Sequence, residues 1–334
     1  MGLGIVRLVF LGSPAFALPS LEAVCAAGHA VGLVVTQPDR PAGRGQKPTP
    51  PPVAVYAREH GLPLWQTASL RGPEVEARLR EVEPEAMALA AFAALVPNNI
   101  LRLAPRGILN VHPSLLPRWR GAAPIQAALL AGDAETGVSI IRLVAALDAG
   151  PIFVQERVPI EASDDYLSLE SRLSSLGARL LVRVLDEWPE PWPQDDAAAT
   201  YCGRIERDQA RIDWTRPAEE IWRQVRAYRG WPRAFTSIGG RQLKVLRATP
   251  LGGNTGHGPD RPSNTLHPGN ADFGRGVATE RAEPGIVTLD GGVPIVATGA
   301  GRLRLDEVQL EGKRAMSGAE FARGYPNLEG TKLA

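Results

Sequence analysis

The chain has little of what would point to several common protein classes. It holds two cysteines in 334 residues, Cys25 and Cys202, far apart in sequence. That is no disulfide framework, and it suits a reducing, cytoplasmic setting. Four of the five histidines (His29, His60, His257 and His267) are scattered, and no Cys/His spacing fits a metal site, so no metal is expected. No apolar run approaches the roughly 20 residues of a membrane span, and no membrane partner is expected. The apolar N-terminal stretch is interrupted by Arg7 and reads as a buried first strand rather than a signal peptide. Formal net charge is only +1, so the chain as a whole does not coat a polyanion. A Gly-x-Gly-x-x-Gly turn is missing as well. Gly12-Ser13-Pro14 has one glycine, and Pro14 removes an N–H that could hold a pyrophosphate, so no dinucleotide is expected there.

What is present is an alternation of strand and helix patterns. Residues 6–11 read as a buried strand, 16–26 as a helix stopped at Gly28, and 31–36 as a second strand. Residues 37–52 are rich in proline and glycine, carry Arg40, Arg44 and Lys47, and read as a loop. Helices are expected over 53–60 and 74–82, and strands over 87–92 and 108–112. This predicts an α/β domain with a Rossmann-like parallel sheet covered on both faces. Residues 139–143 and 152–158 read as strands around a turn at Asp148, and 166–187 as a long amphipathic helix.

The Trp/Pro-rich stretch 188–193 ends that helix and starts a linker. A helix over 218–228 and short, glycine-divided strands over 235–238, 242–247, 286–289, 294–297 and 303–309 then suggest a small β-barrel. The expected division is a first domain over 1–188, a linker over 189–209 and a second domain over 210–334. Residues 251–284 have few apolar side chains and read as a flexible insertion. Trp214 and Trp231 read as packing residues. From Ile205 onward there are 19 Lys plus Arg against 15 Asp plus Glu, a mild excess that permits a nucleic-acid partner without demanding one.

The stretch Asn110-Val111-His112-Pro113-Ser114-Leu115-Leu116-Pro117-Arg118-Trp119-Arg120-Gly121-Ala122-Ala123-Pro124-Ile125-Gln126 is the most informative. Asn and His two residues apart on a strand point to one face. Pro113, Pro117 and Pro124, with Gly121, then enforce a shaped loop, where binding groups tend to sit. Asp148, in Ala146-Leu147-Asp148-Ala149-Gly150-Pro151, offers a carboxylate in a turn. Asn, His and Asp together supply oxyanion donors, a proton carrier and an orienting anion, the tools of acyl transfer without a covalent enzyme intermediate.

With Phe10-Leu11-Gly12-Ser13-Pro14, Thr36-Gln37-Pro38-Asp39-Arg40, Gly132-Asp133-Ala134-Glu135-Thr136-Gly137 and Lys313-Arg314-Ala315-Met316-Ser317, this stretch resembles the folate-dependent formyltransferase family. The resemblance runs from about Val6 to Ser317. It implies a formyltransferase domain followed by an OB-like barrel. It also implies 10-formyltetrahydrofolate as formyl donor and the methionine amine of initiator methionyl-tRNA as acceptor, in a monomeric enzyme.

On that resemblance Asn110, His112 and Asp148 are catalytic, and Ser114, Leu115, Leu116 and Pro117 contact the folate, with residues 87–96 as the opposite wall. Arg40, Arg44, Lys47, Lys313 and Arg314 contact tRNA. Where the family usually has Ala-Tyr-Gly, this chain has Ala91-Phe92-Ala93, and Ala146 stands where Gly is usual. Two rivals are a formyltransferase for a small amine and a non-catalytic RNA-binding relative. The Arg44 loop argues against the first, and the intact Asn-His-Asp set against the second.

Overall fold

The computed structural model describes residues 4–42, 45, 47–252 and 282–334. The chain divides into two compact units, Met1–Ile205 and Glu206–Ala334. Nearly all of the expected 251–284 insertion, and Arg44, lie outside the described residues.

The first unit is built on a seven-stranded sheet. In spatial order its strands are Ile152–Pro159, Glu135–Arg142, Ile108–His112, Ala86–Ala90, Arg7–Gly12, Ala30–Thr36 and Leu64–Gln66. The last five run parallel to one another, as the alternation predicts. Apolar residues fill these strands on both faces because helices cover both sides.

Glu135–Arg142 and Ile152–Pro159 depart from the expectation of a parallel sheet, since both run antiparallel to their neighbours. The connection from Arg142 to Ile152 is too short for the crossover helix that a parallel pair needs. The chain leaves the central strand Arg7–Gly12 in one direction and returns on its other side at Ala86–Ala90, which makes a switch point there. Open sheets hold ligands beyond the C-terminal strand ends at such a point. Asn110 and His112 end the next strand along.

Within the stretch expected as a loop, two short strands form. Arg40–Ala42 pairs antiparallel with Lys47–Thr49, with Pro41 opposite Pro48. A two-stranded ribbon consists of edges only, and edges tolerate proline. The stretch expected as a linker also carries ordered pairings to the first unit. Trp192 bridges Ile152, and Tyr201–Cys202 pairs parallel with Arg120–Gly121.

The second unit is a curled antiparallel half-barrel of OB-like kind. Its strands lie in the order Phe235–Ile238, Arg241–Leu251, Arg302–Leu310, Val293–Ala297 and Val287–Asp290, with Met316–Ser317 beside Arg302–Leu310. Register shifts near Arg247 bend the long strand, as bulges do. Trp214, Ile221, Val225 and Phe321 share its core. Trp214 packs as expected, its indole N–H donating to Thr236 at 3.0 Å. Trp231 does not pack: it is 58% exposed.

Candidate active site

The strand Ile108–His112 is buried along its whole length. Alternation puts Asn110 and His112 on one face, and the Asp148 turn comes back to meet them. Asn110 Nδ2 lies 3.4 Å from Asp148 Oδ1, and His112 Nδ1 lies 3.7 Å from Asp148 Oδ2. All three residues are at most 9% exposed. The structure therefore gathers the three expected catalytic residues into one buried cluster, although Asp148 is 38 residues from Asn110 in sequence.

Two backbone groups complete the cluster. The Gly121 N–H donates to Asp148 Oδ2 at 2.9 Å. His112 Nε2 faces the Trp119 carbonyl at 3.0 Å. A carbonyl only accepts, so that contact needs a proton on Nε2. Nδ1 then faces the Asp148 carboxylate, so both ring nitrogens are directed at protein oxygens.

The loop 113–121 is held from within. Ser114 Oγ donates to the Arg118 carbonyl at 2.7 Å, while the Ser114 carbonyl accepts from Ser139 Oγ at 2.7 Å. Leu116 packs its side chain against Ile141 and Ile152. Its N–H donates to Ser139 Oγ at 3.2 Å, and its carbonyl accepts from Gln155 Nε2 at 2.9 Å. Of the four expected folate residues, Ser114 and Leu116 therefore maintain the loop's shape. The half-buried Leu115 and Pro117 keep surface open to a ligand. Ser139 and Gln155 could not be singled out beforehand, because neither lies in the motif.

The expected opposite wall follows the adjacent strand, where Leu89 pairs with Asn110. Phe92 is 1% exposed, and Ala91 and Ala93 take left-handed backbone angles, φ +46° and +61°. The glycine usual in the family at the Ala93 position would adopt that angle freely. Ala146 is not among the left-handed residues; Asp148 is, at φ +48°.

A surface pocket of about 230 Å³ lies against the loop, lined by Leu115, Arg118, Trp119 and residues 133–136. It is lined by none of the three catalytic candidates, and Trp119 alone joins it to them through its carbonyl.

The other expected residues fall elsewhere. Arg40 is exposed on the hairpin and reaches Gln37 Oε1 at 3.0 Å. Gln37 is buried and donates to the Phe92 carbonyl at 3.3 Å, which ties the hairpin's base to the loop after Ala90. Lys47 is exposed on the opposite hairpin strand. Lys313 and Arg314 are exposed on the second unit, where Arg314 sits 3.5 Å from Glu320. Cys202 approaches the Trp119 and Arg120 carbonyls. Burial pushes its thiol up, and the nearby Asp148 charge acts in the same direction against an opposing hydrogen bond from Ala123. Among the described residues no His, Cys, Asp and Glu group could hold a metal ion, and no helix is long and apolar enough to cross a membrane.

Comparison with known proteins shows the family. A family model described as "Formyl transferase" matches residues 6–185, and one described as "Formyl transferase, C-terminal domain" matches 204–326. A methionyl-tRNA formyltransferase of Thermus thermophilus is 42% identical over 332 residues, covering 98% of this chain and 99% of the relative. One of Methylococcus capsulatus is 42% identical with the same coverage. Among solved structures, HypX from Aquifex aeolicus in complex with tetrahydrofolic acid shares the fold. It has a TM-score of 0.58 at 15% identity over 95% of this chain, which spans 47% of HypX.

Proposed function

The chain belongs to the formyl transferase family, and on that premise we propose that it transfers the formyl group of 10-formyltetrahydrofolate to the α-amine of methionine on initiator methionyl-tRNA. The product is N-formylmethionyl-tRNA for translation initiation, made in the cytoplasm. The relatives named above, 42% identical over nearly their whole length, support the acceptor. The tetrahydrofolic acid bound by HypX supports a folate donor. The observation that carries the chemistry is the convergence of Asn110, His112 and Asp148 at one buried strand end.

In this reaction the amine nitrogen bonds to the formyl carbon and the bond from that carbon to the donor nitrogen breaks. The amine gives up one proton and the donor nitrogen gains one. Negative charge builds on the formyl oxygen in between. One Asn110 amide hydrogen is directed at Asp148 and the other is free to meet that oxygen; one such donor is worth ~10²–10³-fold in rate. His112 moves the proton, and Asp148 stabilises the ring while it carries it. Leu115 and Pro117 face the folate, with Ser114 and Leu116 holding the loop in shape.

The first unit carries this chemistry, and the second helps hold the tRNA as part of a monomeric enzyme. Arg40, Arg44 and Lys47 meet the acceptor end, while Lys313 and Arg314 meet phosphates. The test is formyl transfer by the purified protein from 10-formyltetrahydrofolate to charged initiator tRNA, with free methionine and an aminosugar alongside. Transfer to the charged tRNA alone supports the reading. Transfer to a small amine alone, or to nothing, rejects it.

A further inference from the structure

Neither family match covers residues 186–203, yet this segment grips both halves of the active site. Trp192 exchanges backbone hydrogen bonds with Ile152 at 2.8 and 2.9 Å. Thr200 takes the Trp119 N–H on its hydroxyl at 2.9 Å and the Arg120 N–H on its carbonyl at 2.9 Å. The Cys202 carbonyl accepts the Ala122 N–H at 3.1 Å. These bonds fix the stretch that presents the Trp119 carbonyl to His112 and the Gly121 N–H to Asp148.

Gln194 lies between those anchors. Its Nε2 donates to the carbonyls of Asp148 and Gly150, both at 2.7 Å. Its Oε1 accepts from Arg120 Nε and Nη2 at 3.0 and 2.8 Å. Arg120 is 3% exposed and also reaches Asp196 at 2.6 Å. Burial opposes its charge, but the hydrogen bonds and charges of the Asp196 and Tyr201 side chains together push its pKa up.

The turn that Gln194 grips is strained. Asp148 is a non-glycine residue at φ +48°, a conformation that persists only when the surroundings enforce it. The side chain of Asp148 is held by the Arg120–Gly121 strand and its main chain by Gln194, which is itself held by Arg120. The carboxylate is thereby fixed from both ends.

We propose that Gln194 is a positioning residue for formyl transfer, clamping the turn 148–150 to Arg120 so that the Asp148 carboxylate stays aimed at Asn110 and His112. The inference rests on the reading of function above. Misplacing a reacting group by about 1 Å can cost on the order of 10²-fold, so a loosened clamp acts on turnover rather than on substrate binding.

The test uses full-length Gln194→Met, which removes both halves of the clamp, and Gln194→Glu. The second keeps an acceptor for Arg120 but turns a carboxylate towards two carbonyls. Both variants are expected to lose ~10-fold or more in kcat, with KM for folate and for tRNA within ~3-fold of wild type. In an Asp148→Asn background, Gln194→Met is expected to change kcat by less than ~3-fold, because the group it positions is already gone. A merely structural role would instead multiply the two losses.

One readout needs no turnover. Hydrogen exchange of the Gly121 amide, whose partner is the Asp148 carboxylate, is expected to speed up ~10-fold or more in Gln194→Met, while core strand amides keep their protection. Wild-type kcat in both variants, fully multiplicative losses, or unchanged Gly121 exchange overturns the proposal. A wild-type protein inactive on charged tRNA overturns the functional reading instead, and the exchange measurement still decides the clamp.

Discussion

The end of the strand Ile108–His112 and the hairpin of Arg40–Ala42 with Lys47–Thr49 belong to the same unit but are built by opposite rules. At the strand end Asn110, His112 and Asp148 are buried, and each is held by a partner far away in sequence. On the hairpin Arg40 and Lys47 are exposed, and Gln37 is the tie that leads from Arg40 back to the sheet. Stabilising a developing charge requires groups already in place and shielded from water. Meeting a polyanion requires charge that solvent, and hence the partner, can reach. Under the proposed function, turnover belongs to the first region and encounter to the second.

Removing charge or proton capacity from the strand end has the largest expected effect. His112→Ala and Asp148→Asn are each expected to lower kcat by ~10²-fold or more while folate affinity stays within ~3-fold. Steady-state kinetics with equilibrium folate binding checks this, and near wild-type turnover in either variant would break the comparison.

Gly121→Ala comes next. Gly121 sits at φ +123°, and a Cβ there would lie 2.1 Å from the Cys202 carbonyl oxygen, so the pairing of Arg120–Gly121 with Tyr201–Cys202 must open. A loss of ~10-fold in kcat is expected. The accompanying destabilisation, ~1–3 kcal/mol for the strained residue, is read from the urea midpoint. A variant as stable and active as wild type would show that the strand pairing does not support the site.

The smallest effect is expected on the hairpin. Arg40→Ala and Lys47→Ala should each lower kcat/KM for charged tRNA by ~3-fold, leave kcat at saturation unchanged, and flatten the salt dependence. A fall in saturating kcat would move the hairpin into the chemistry and erase the contrast.

The parts of the site carried by local pattern were legible in the sequence. Asn110 and His112 are two residues apart on an apolar strand, and Asp148 lies in a turn-forming stretch. The central parallel strands and the short strands of the second unit were legible for the same reason, because alternation and glycine punctuation are local.

The remainder depends on distant or backbone partners. Gln194 meets carbonyls 46 and 44 residues away, and a carbonyl is present at every position, so no residue type announces it. Leu116 looks like a ligand-facing apolar residue until Ile141 and Ile152 are seen to enclose it. The exposure of Trp231 and the antiparallel run of Glu135–Arg142 and Ile152–Pro159 likewise follow from packing and connection length. Nothing in their own residues displays them.

The most direct test of the central claim is the single-turnover rate of Asn110→Ala with 10-formyltetrahydrofolate and charged initiator tRNA both saturating. Asn110 is the residue assigned to the charge that exists only during transfer. The account predicts that the chemical step slows by ~10²-fold or more while the Kd for each substrate stays within ~3-fold of wild type. An unchanged single-turnover rate, or a loss confined to binding, would contradict it.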